Sequence, residues 1–590
     1  MRRRDGTRRL ASEHPAKRRE PMDKKLTMDR RGFLAGGATA LAAAGLMGLA
    51  GCAGNPGSGS ATGNGSGSNG SADGNAVSSD AVVNSWQNPP APIPADQIVE
   101  TVDCDVLIIG AGTAGVVAAQ SAAEAGANTV LIEKCAEFSA RGHDVGVVDC
   151  KVQRDNGVTI DKALMREYYC QITCNKTDMG LFNIWMNKSG EVMDYYIDRL
   201  TADGLPCNAG SLGEAAAKST NPCTKEFPTA IQFGMEQKTA DGEYTNHLMV
   251  RYIEGYARED GADIRYNTKA EQLIREGDGP VTGCIASTDN GYVQFNAKNG
   301  VIIATGGITQ NEQMLRMWAP PAAQTDQILY TPIDGNTGDG LNMGMWIGAG
   351  HQKTNQATMA LPSSAAAGGQ LSDDGRGITW MTVNLNGERY VKENSPGPNL
   401  CHATLPQPAS EGWSIFDANW ETNILKMMPS GKDFRGEDLV SDKRKASFEE
   451  DIKKGLMYKA DTLEGLAEAM GMPAEAFKAQ VDRYNGYCAS GNDEEFSMPA
   501  EQLFAIDTPP FYASRNRCGV LVVMYGLNVN AKSQVCNQND VAIPGLYAIG
   551  NAQGNFVTDS YPILIPGISH GRCVTFGRLL GQALAKGETL

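Results

Sequence analysis

Residues 104–115 read CDVLIIGAGTAG, and this stretch decides the fold of the chain. A short apolar run of strand length leads into a G-x-G-x-x-G turn, and a helix-like segment follows to about Ala125. A second strand is predicted at residues 129–132, and Glu133 ends it, 23 residues after Gly110. A strand, a glycine-rich turn, a helix and a second strand that ends in an acid form a unit that binds a dinucleotide. The stretch therefore predicts an α/β fold built around such a cofactor.

Each glycine of the turn has a physical role. Gly110 permits the tight turn, Gly112 lets the backbone approach a pyrophosphate, and Gly115 lets the helix pack on the strand. The N-terminus of the helix faces the phosphates, and Glu133 is placed to accept hydrogen bonds from ribose hydroxyls. The glycine motif alone is weak evidence, but its two flanking strands and the acid at the right distance make it specific.

Three later segments return to the same cofactor. Residues 261–274 contain a strand expected near the adenine, and residues 301–307, VIIATGG, form an apolar strand that ends in a glycine pair. Residues 545–551, GLYAIGN, form another such strand near the C-terminus. Repeated returns from distant positions are typical of flavoproteins in which FAD lies extended, so the pattern favours FAD over a nicotinamide cofactor.

Taken together, these motifs and the NTGDG run at 336–340 resemble the flavoprotein subunits of the fumarate reductase/succinate dehydrogenase family over about residues 100–590. The resemblance implies a Rossmann-like FAD-binding domain in two sequence segments with an inserted α+β capping domain. The composition of the chain changes after the small-residue helix that ends near residue 350. We therefore expect the FAD-binding domain at 100–350 and 511–590, and the capping or substrate domain at 351–510.

The resemblance also implies a set of cofactor-binding residues, with no metal site. This set contains Gly110, Gly112, Thr113, Ala114, Gly115, Glu133, Lys134, Arg141, Gly142, His143, Asp144, Gly146, Ala270, Thr305, Gly306, Asp339, Gly550, Asn551, Gly567 and Ile568. Two features depart from the family. Asn551 stands where the family usually has an acid that meets the ribityl chain, and residues 139–146 differ from the family's Gly-Asn-Ser run. An amide still forms hydrogen bonds, so FAD remains the prediction.

On the substrate side, part of the family's proton relay is recognisable. Residues 373–377, DDGRG, match the family's E-x-x-R-G and assign Asp373 and Arg376 to the relay. Residues 386–393, NGERYVKE, match the block that follows it. The family's proton-donating arginine comes four residues after the last glutamate of this block, and here that position is Gly397. The expected donor is missing.

The family's anchors for substrate carboxylates are missing too. Val522 stands at the position of a histidine, and residues 555–567 hold no arginine where the family has one. A charge-assisted hydrogen bond to a carboxylate contributes about 1.5–3 kcal/mol. Fumarate is therefore not the expected substrate. A pocket with Val522, Tyr525 and Tyr561 fits an aromatic or apolar enoate, an enone or a steroid-like molecule better.

The expected chemistry is reduction of an activated C=C bond by hydride from flavin N5 and a proton from the protein. Tyr561 is the first candidate donor, Tyr525 the second, and Arg376 a relay or direct donor. Packing roles for both tyrosines stay open, and for Arg389 we favour a structural salt bridge to Glu393. The ending Y-P-x-L-x-P-G-x-x-x-G-R resembles exported FAD-dependent reductases of anaerobes. Two alternatives remain, a 3-ketosteroid-type dehydrogenase running in the oxidative direction and an electron-transfer flavoprotein without turnover.

The N-terminal region is predicted to direct export. Arg30 and Arg31 precede a modest Gly- and Ala-rich apolar stretch, and residues 49–52, LAGC, resemble a bacterial lipobox. This resembles a twin-arginine lipoprotein signal over residues 1–52, which would leave a protein outside the cytoplasm, held at the membrane only by lipid on Cys52. A membrane span is the alternative. Residues 53–99 begin with a Gly/Ser/Asn-rich run and are expected to form a flexible linker.

Charge and cysteine spacing restrict the partners. The 590 residues carry a net charge of −16, yet residues 1–51 hold 12 Lys and Arg against 5 Asp and Glu, so the remainder is near −23. Such an acidic chain is not expected to bind nucleic acid. It also contains no C-x-x-C-H haem motif and no second dinucleotide motif. Electrons are therefore expected from a partner, a membrane quinol-oxidising or multihaem cytochrome.

Overall fold

The computed structural model describes residues 85–210, 226–234, 245–325, 327–328, 335–364, 378–432 and 438–590, all within the unit Ser78–Leu590. The predicted export signal, the Cys52 acylation site and the linker up to residue 84 lie outside the described residues. Two predicted catalytic residues, Asp373 and Arg376, also lie outside them.

The described strands form three sheets. In chain order they are β1 (Ile98–Ile109), β2 (Thr129–Ile132), β3 (Val145–Gly146), β4 (Cys207–Ala209), β5 (Ala230–Phe233), β6 (Asp263–Arg265), β7 (Lys269–Arg275), β8 (Val281–Thr288), β9 (Gly291–Ile303), β10 (Gln327–Ile328), β11 (Ala357–Ser364), β12 (Met381–Val383), β13 (Gly412–Phe416), β14 (Met457–Ala460), β15 (Phe511–Met524), β16 (Gln534–Cys536) and β17 (Ala542–Ala548).

The described helices surround these sheets. In chain order they are α1 (Thr113–Glu124), α2 (Lys151–Asp155), α3 (Lys162–Ile172), α4 (Met179–Ala202), α5 (Thr245–Glu259), α6 (Glu312–Trp318), α7 (Pro320–Ala323), α8 (Asp339–Trp346), α9 (Gly397–Thr404), α10 (Trp420–Met427), α11 (Asp442–Lys453), α12 (Leu463–Met470), α13 (Ala474–Ser490) and α14 (Ile568–Ala585).

The first sheet contains the predicted dinucleotide-binding unit. Its eight strands follow the order β16-β17-β9-β1-β2-β6, and the antiparallel strands β8 and β7 extend it from β9. The five strands β17, β9, β1, β2 and β6 pair with one another in parallel, whereas β16 is antiparallel to β17 and β8 is antiparallel to β9. Residues 106–109 of β1 are almost fully buried, as expected for the centre of a parallel sheet that is covered on both faces.

The C-terminal helix α14 packs directly against α1, the helix of the glycine motif. Gly577 and Gly581 make this approach possible. A Cβ atom on Gly577 would lie 2.8 Å from the carbonyl oxygen of Ala114, and one on Gly581 would lie 2.5 Å from that of Ala118. Helix α14 and strand β17 thus bring the last segment of the chain onto the first sheet, so the cofactor domain is assembled from two separate segments.

The second sheet belongs mainly to the inserted segment. Its order is β10-β15-β13-β12, and β11 and β14 also pair with β15. Two smaller hydrophobic cores lie in this region, one around Trp413 and Phe477 and one around Phe416 and Trp420. Strand β15 pairs with strands of this second sheet, which therefore extends to Met524, 14 residues beyond the boundary expected at 510. The division into domains itself stays a prediction.

A third, small sheet has the order β3-β5-β4 and lies beside the start of α14, where the backbone N–H of Gly146 donates to the carbonyl oxygen of Gly567 at 2.7 Å. Across the described ranges, no helix is both long and apolar enough to cross a membrane.

Candidate functional site

The turn between β1 and α1 has the geometry that its glycines predict. Gly110 adopts a φ of +106°, and a Cβ atom there would lie 2.6 Å from the carbonyl oxygen of Ala304. A Cβ atom on Gly115 would lie 1.9 Å from the carbonyl oxygen of Gly110. Neither position has room for a side chain, so the fold itself requires both glycines.

Gly112 is different. Its backbone is extended, with φ −77° and ψ −179°, and the nearest atom to a Cβ there would be the carbonyl oxygen of Ser139 at 3.8 Å. The protein leaves room for a side chain at this position, which lines a cavity. The space is therefore suited to a ligand that approaches the backbone at the start of α1, as a pyrophosphate does.

That cavity has a volume of about 300 Å³ and lies between the first sheet, α14 and the second sheet. Most of the predicted cofactor-binding residues line it. They are Gly112, Thr113, Ala114, Glu133, Lys134, Arg141, Gly142, His143, Asp144, Thr305, Gly306, Gly550, Asn551 and Gly567. Gly110, Ala270 and Asp339 line a smaller adjoining cavity, which shares Glu133, Lys134 and Thr305 with the first. Gly115, Gly146 and Ile568 line neither cavity.

The acid at the end of β2 is held by the backbone around it. Glu133 accepts hydrogen bonds from the backbone N–H of Ala111 at 2.7 Å and of Cys135 at 2.8 Å. The next residue, Lys134, donates to Asp339 at 2.8 Å and to Thr337. The Asp339 carboxylate is thus engaged in an ion pair at the edge of the site, so any contact of Asp339 with a cofactor would be shared with Lys134.

The loop at residues 139–146, which departs from the family pattern, is held by the start of α5. The side-chain amide of Asn246 donates to the carbonyl oxygens of Arg141 and Asp144 at 3.1 and 3.2 Å. The hydroxyl of Thr245 donates to the carbonyl oxygen of His143 at 2.9 Å. Sequence reasoning missed Thr245 and Asn246, because a loop-bracing contact across about a hundred residues leaves no local signal.

His570, in the first turn of α14, connects two walls of the cavity. Its Nδ1 lies 3.4 Å from the hydroxyl oxygen of Thr113, and its ring packs over Gly142. Burial, together with the nearby guanidinium groups of Arg141 and Arg572, lowers the pKa of His570 to about 4. At neutral pH His570 is therefore an uncharged imidazole.

The strands of the second sheet contribute apolar residues to the cavity lining, Met359 of β11 and Leu521 and Val522 of β15, and Tyr561 also lines the cavity. Tyr561 is 4% exposed, and burial raises the pKa of its phenol to about 12 although Arg572 opposes the shift. The phenol therefore keeps its proton at neutral pH. Met359 and Leu521 were not among the predicted site residues.

Further residues that sequence reasoning did not assign also line the cavity. They are Cys135, Ser139, Ala140, Ala304, Gly335, Asn336, Ser569 and Cys573. Most of them adjoin predicted positions in the sequence, and that proximity is the signal that would have found them. Met359 had no such signal, because it comes from a strand that reaches the site only through pairing with β15.

The structure places Tyr525, the second candidate proton donor, outside the lining of the cavity. The Tyr525 hydroxyl shares a hydrogen bond with Nδ1 of His351 at 2.8 Å and donates to the carbonyl oxygen of Gln352 at 3.2 Å. Its ring stacks on Trp318 with centroids 4.9 Å apart. Tyr525 lies just past the end of β15 and packs beside α6, and it does not line the cavity.

The ion pair expected for Arg389 is present in the inserted segment. Its guanidinium donates to both carboxylate oxygens of Glu393, at 2.7 and 2.6 Å, and to those of Asp493 at 2.8 and 3.0 Å. The three charged groups are almost completely buried. Arg389 is thus a structural group of the capping region.

The donor set of the cavity fits FAD. Gly112 leaves the gap that a pyrophosphate needs, and Glu133 stands at the ribose position of the fingerprint. The Thr305 hydroxyl is buried without a hydrogen-bond partner among the described residues, so it is available to form a hydrogen bond with a ligand. The N-termini of α1 and α14 both open onto the cavity, as an anionic cofactor requires.

Comparison with known proteins gives the same cofactor. Residues 105–562 match the FAD binding domain family. The chain is 27% identical over 494 residues to a urocanate reductase of Eggerthella lenta and 26% identical over 491 residues to a fumarate reductase (cytochrome) of Shewanella frigidimarina. These alignments cover 82% of this chain, and 75% and 77% of those proteins.

A 3-oxosteroid 1-dehydrogenase of Mycolicibacterium smegmatis is 25% identical over 570 residues, which cover 82% of this chain and 97% of that protein. The solved open conformation of a flavocytochrome c3 fumarate reductase shares the fold, with a TM-score of 0.59 at 23% identity over 85% of this chain and 82% of that one. The predicted α/β fold class and the FAD cofactor are confirmed. The chain belongs to the FAD binding domain family and is a fumarate-reductase-like FAD-dependent oxidoreductase.

Proposed function

We propose that this protein reduces the activated C=C bond of an apolar or aromatic enoate or enone. The observation that carries the proposal is the cavity lining, to which the second sheet contributes the apolar residues Met359, Leu521 and Val522, and which also includes the buried Tyr561. An apolar wall gains free energy by covering an apolar substrate, and it offers a small dicarboxylate no charged partner.

The chain's own part in the reaction is to deliver a proton. Bound FAD supplies the hydride, with both electrons, that is added to the electron-poor carbon. The Tyr561 O–H gives its proton to the neighbouring carbon, so that the C=C bond becomes a saturated CH–CH pair. The tyrosinate left behind is stabilised by the positive charge of Arg572 until it regains a proton from solvent. A partner then restores the two electrons.

The position of Val522 supports this substrate class. The resemblance to the fumarate reductase family implies a histidine at this position, whereas Val522 presents only methyl groups to the cavity. The charged groups that line the cavity, such as Glu133, Lys134 and Arg141, belong to the loops predicted to hold the cofactor.

A second candidate function is the reverse reaction on a 3-ketosteroid. It is favoured by the similarity to the 3-oxosteroid 1-dehydrogenase, which extends over 97% of that protein, whereas the fumarate and urocanate reductases are covered over about three quarters. In that direction the same tyrosine would polarise a ketone by donating a hydrogen bond.

We further propose that the protein is exported by a twin-arginine signal and held outside the cytoplasm by lipid on Cys52, with a cytochrome as electron donor. Support comes from the residues before Cys52, from the missing haem motif, and from the similarity to a cytochrome-type fumarate reductase. Replacement of Cys52 by Ala should release the protein from the membrane fraction. Unchanged fractionation would contradict the lipid anchor.

The function itself is tested with purified holoenzyme and a reduced viologen as electron donor. Aromatic enoates, cyclic enones, steroid enones and fumarate are supplied separately, and viologen oxidation is followed. We expect turnover with apolar or aromatic alkenes and little with fumarate. Comparable kcat/KM for fumarate would contradict the proposal, and no turnover with any alkene would indicate a flavoprotein that only transfers electrons. Faster oxidation of a saturated 3-ketosteroid by an artificial acceptor would favour the second candidate.

A further inference from the structure

Arg572 is a buried cation to which the proposed reaction assigns only the stabilisation of a transient tyrosinate, and no contact with the cofactor or the substrate. It lies in the second turn of α14 and is 1% exposed. Its Nη2 donates to the side-chain oxygen of Asn551 at 2.7 Å, and its guanidinium lies over the ring of Phe556 with 5.0 Å to the centroid. Its Nε is buried without a hydrogen-bond partner, and no carboxylate pairs with it in the described part of the chain.

Such a placement is unfavourable for the apoprotein. A guanidinium taken out of water needs a carboxylate or several hydrogen bonds to offset the loss of hydration. Arg572 has instead one amide oxygen, the sulfur of Met524 at 4.0 Å and an aromatic face. It also lies near the N-terminus of a helix, where the helix dipole disfavours a cation. Burial lowers the pKa of Arg572, although its ordinary pKa is high enough to keep it charged. We therefore expect a bound ligand to supply the negative charge that compensates Arg572.

The contact with Asn551 determines which group faces the cavity. A guanidinium only donates hydrogen bonds, so the oxygen of the Asn551 amide must point at Arg572. Asn551 lines the cavity, and no described residue accepts a hydrogen bond from its NH₂ group. This NH₂ group is therefore available to donate a hydrogen bond to a ligand. Asn551 was expected to replace a family acid as a partner of the ribityl chain. Instead of an acceptor, the structure presents a donor polarised by a buried cation.

Neighbouring groups add to the same positive potential. The backbone at the start of α14 lines the cavity through Gly567, Ser569 and His570, and His570 is itself uncharged. A carboxylate in place of Asn551 would cancel the charge of Arg572. The chain instead keeps the cation and presents it to the cavity through an amide.

We propose that Arg572, acting through Asn551, stabilises the negative charge that FAD gains on reduction. Uptake of two electrons and one proton adds one negative charge to the flavin, and a buried positive charge beside it lowers the free energy of that state. Arg572 thereby raises the midpoint potential of the flavin without contacting the substrate. The proposal depends on the FAD cofactor but not on the identity of the alkene.

The test is a redox titration of the holoenzyme without substrate, followed by flavin absorbance. In Arg572→Met, the ratio of reduced to oxidised flavin at the wild-type midpoint potential should fall about tenfold or more, which is about 30 mV for a two-electron couple. Arg572→Lys, which keeps the charge, should restore most of that ratio. Arg578→Met is the matched control, because Arg578 lies in the same helix but pairs with Glu124 at 2.9 Å, and its midpoint should not move.

A second variant covers the case in which Arg572→Met loses FAD or fails to fold. Asn551→Asp places a carboxylate against Arg572, forms a buried ion pair and cancels the charge, so it should also lower the ratio about tenfold. A wild-type midpoint in flavin-loaded Arg572→Met, or in Asn551→Asp, would overturn the proposal. An unchanged midpoint with a raised KM would overturn it too, and would assign Arg572 to an anionic substrate. Inactivity towards every alkene tested would affect the proposed function and leave this result intact.

Discussion

Two buried arginines of this protein have opposite surroundings. Arg389, in the capping region, donates four hydrogen bonds to Glu393 and Asp493, and Glu495 lies 3.6 Å away. Arg572, beside the cofactor cavity, has no carboxylate among the described residues and donates to the amide oxygen of Asn551. Both side chains are shielded from water. The first charge is neutralised within the fold, and the second is left for a ligand.

The two arginines differ in whether the protein itself supplies the compensating charge. An ion pair that is complete within the protein holds elements together, here the strand region around β12 and the segment that follows α13. An incomplete one raises the free energy of the empty site and is retained where something else supplies the missing charge. The glycines of the cofactor motif divide in the same way, since Gly115 is required by packing and Gly112 by a ligand.

The largest expected effect breaks the neutralised site. Arg389→Met should lower the free energy of unfolding by about 3–5 kcal/mol, because Glu393 and Asp493 would remain buried without their cation. Arg572→Met should change it by no more than about 1 kcal/mol, since no carboxylate is left unpaired. Denaturant unfolding of both variants as apoproteins measures the contrast. Equal losses in the two variants would remove the distinction between the two arginines.

The next effect concerns Tyr561, the proposed proton donor. Tyr561→Phe should lower kcat by about 10²-fold or more, because the proton donor is lost while the apolar wall is kept. Flavin content and midpoint potential should stay as in the wild type, which separates Tyr561 from Arg572. Steady-state kinetics and a redox titration on the same preparation provide both readings. Full activity in Tyr561→Phe would exclude the phenol as the acid.

A third effect arises from the burial of His570 beside the cavity and two arginines. The folded-state pKa of His570 is lowered to about 4, so between pH 6.5 and 4 the unfolded chain binds more protons than the folded one. Stability should therefore decrease as the pH falls through this window, by about 2 kcal/mol between pH 6.5 and 5. His570→Gln should remove this part of the slope. Urea unfolding at several pH values tests it, and an identical slope in the variant would show that another group titrates.

The smallest expected effect tests the glycine that the fold does not need. Gly112→Ala should weaken FAD binding by about tenfold, since the added methyl group enters the space left for a ligand. The apoprotein should unfold as the wild type does, because the nearest protein atom would be at 3.8 Å. Flavin titration followed by fluorescence measures the FAD affinity, and denaturant unfolding measures the stability of the apoprotein. Loss of apoprotein stability would place Gly112 with Gly115 as a packing residue.

Much of the cofactor side was predictable because its signals are local. The strand–turn–helix unit at 104–125, the acid Glu133 and the strand at 301–303 are all found where the residue patterns predict them. The substrate side was less predictable. Met359 and Val522 meet at the cavity from strands that are more than 150 residues apart in sequence, and Tyr525, three residues from Val522, packs away from it.

By itself, the sequence determined that this protein binds FAD in a two-segment α/β domain, because glycine spacing and apolar periodicity act over a few residues and allow few alternatives. It also indicated which family anchors are missing. Only the tertiary structure decided which charges are neutralised. Nothing in the sequence distinguishes Arg389 from Arg572. Arg389 is neutralised by carboxylates that include Asp493, about a hundred residues away in the sequence. Compensation of a buried charge depends on neighbours in space, and those neighbours are set by how the two sheets and α14 pack.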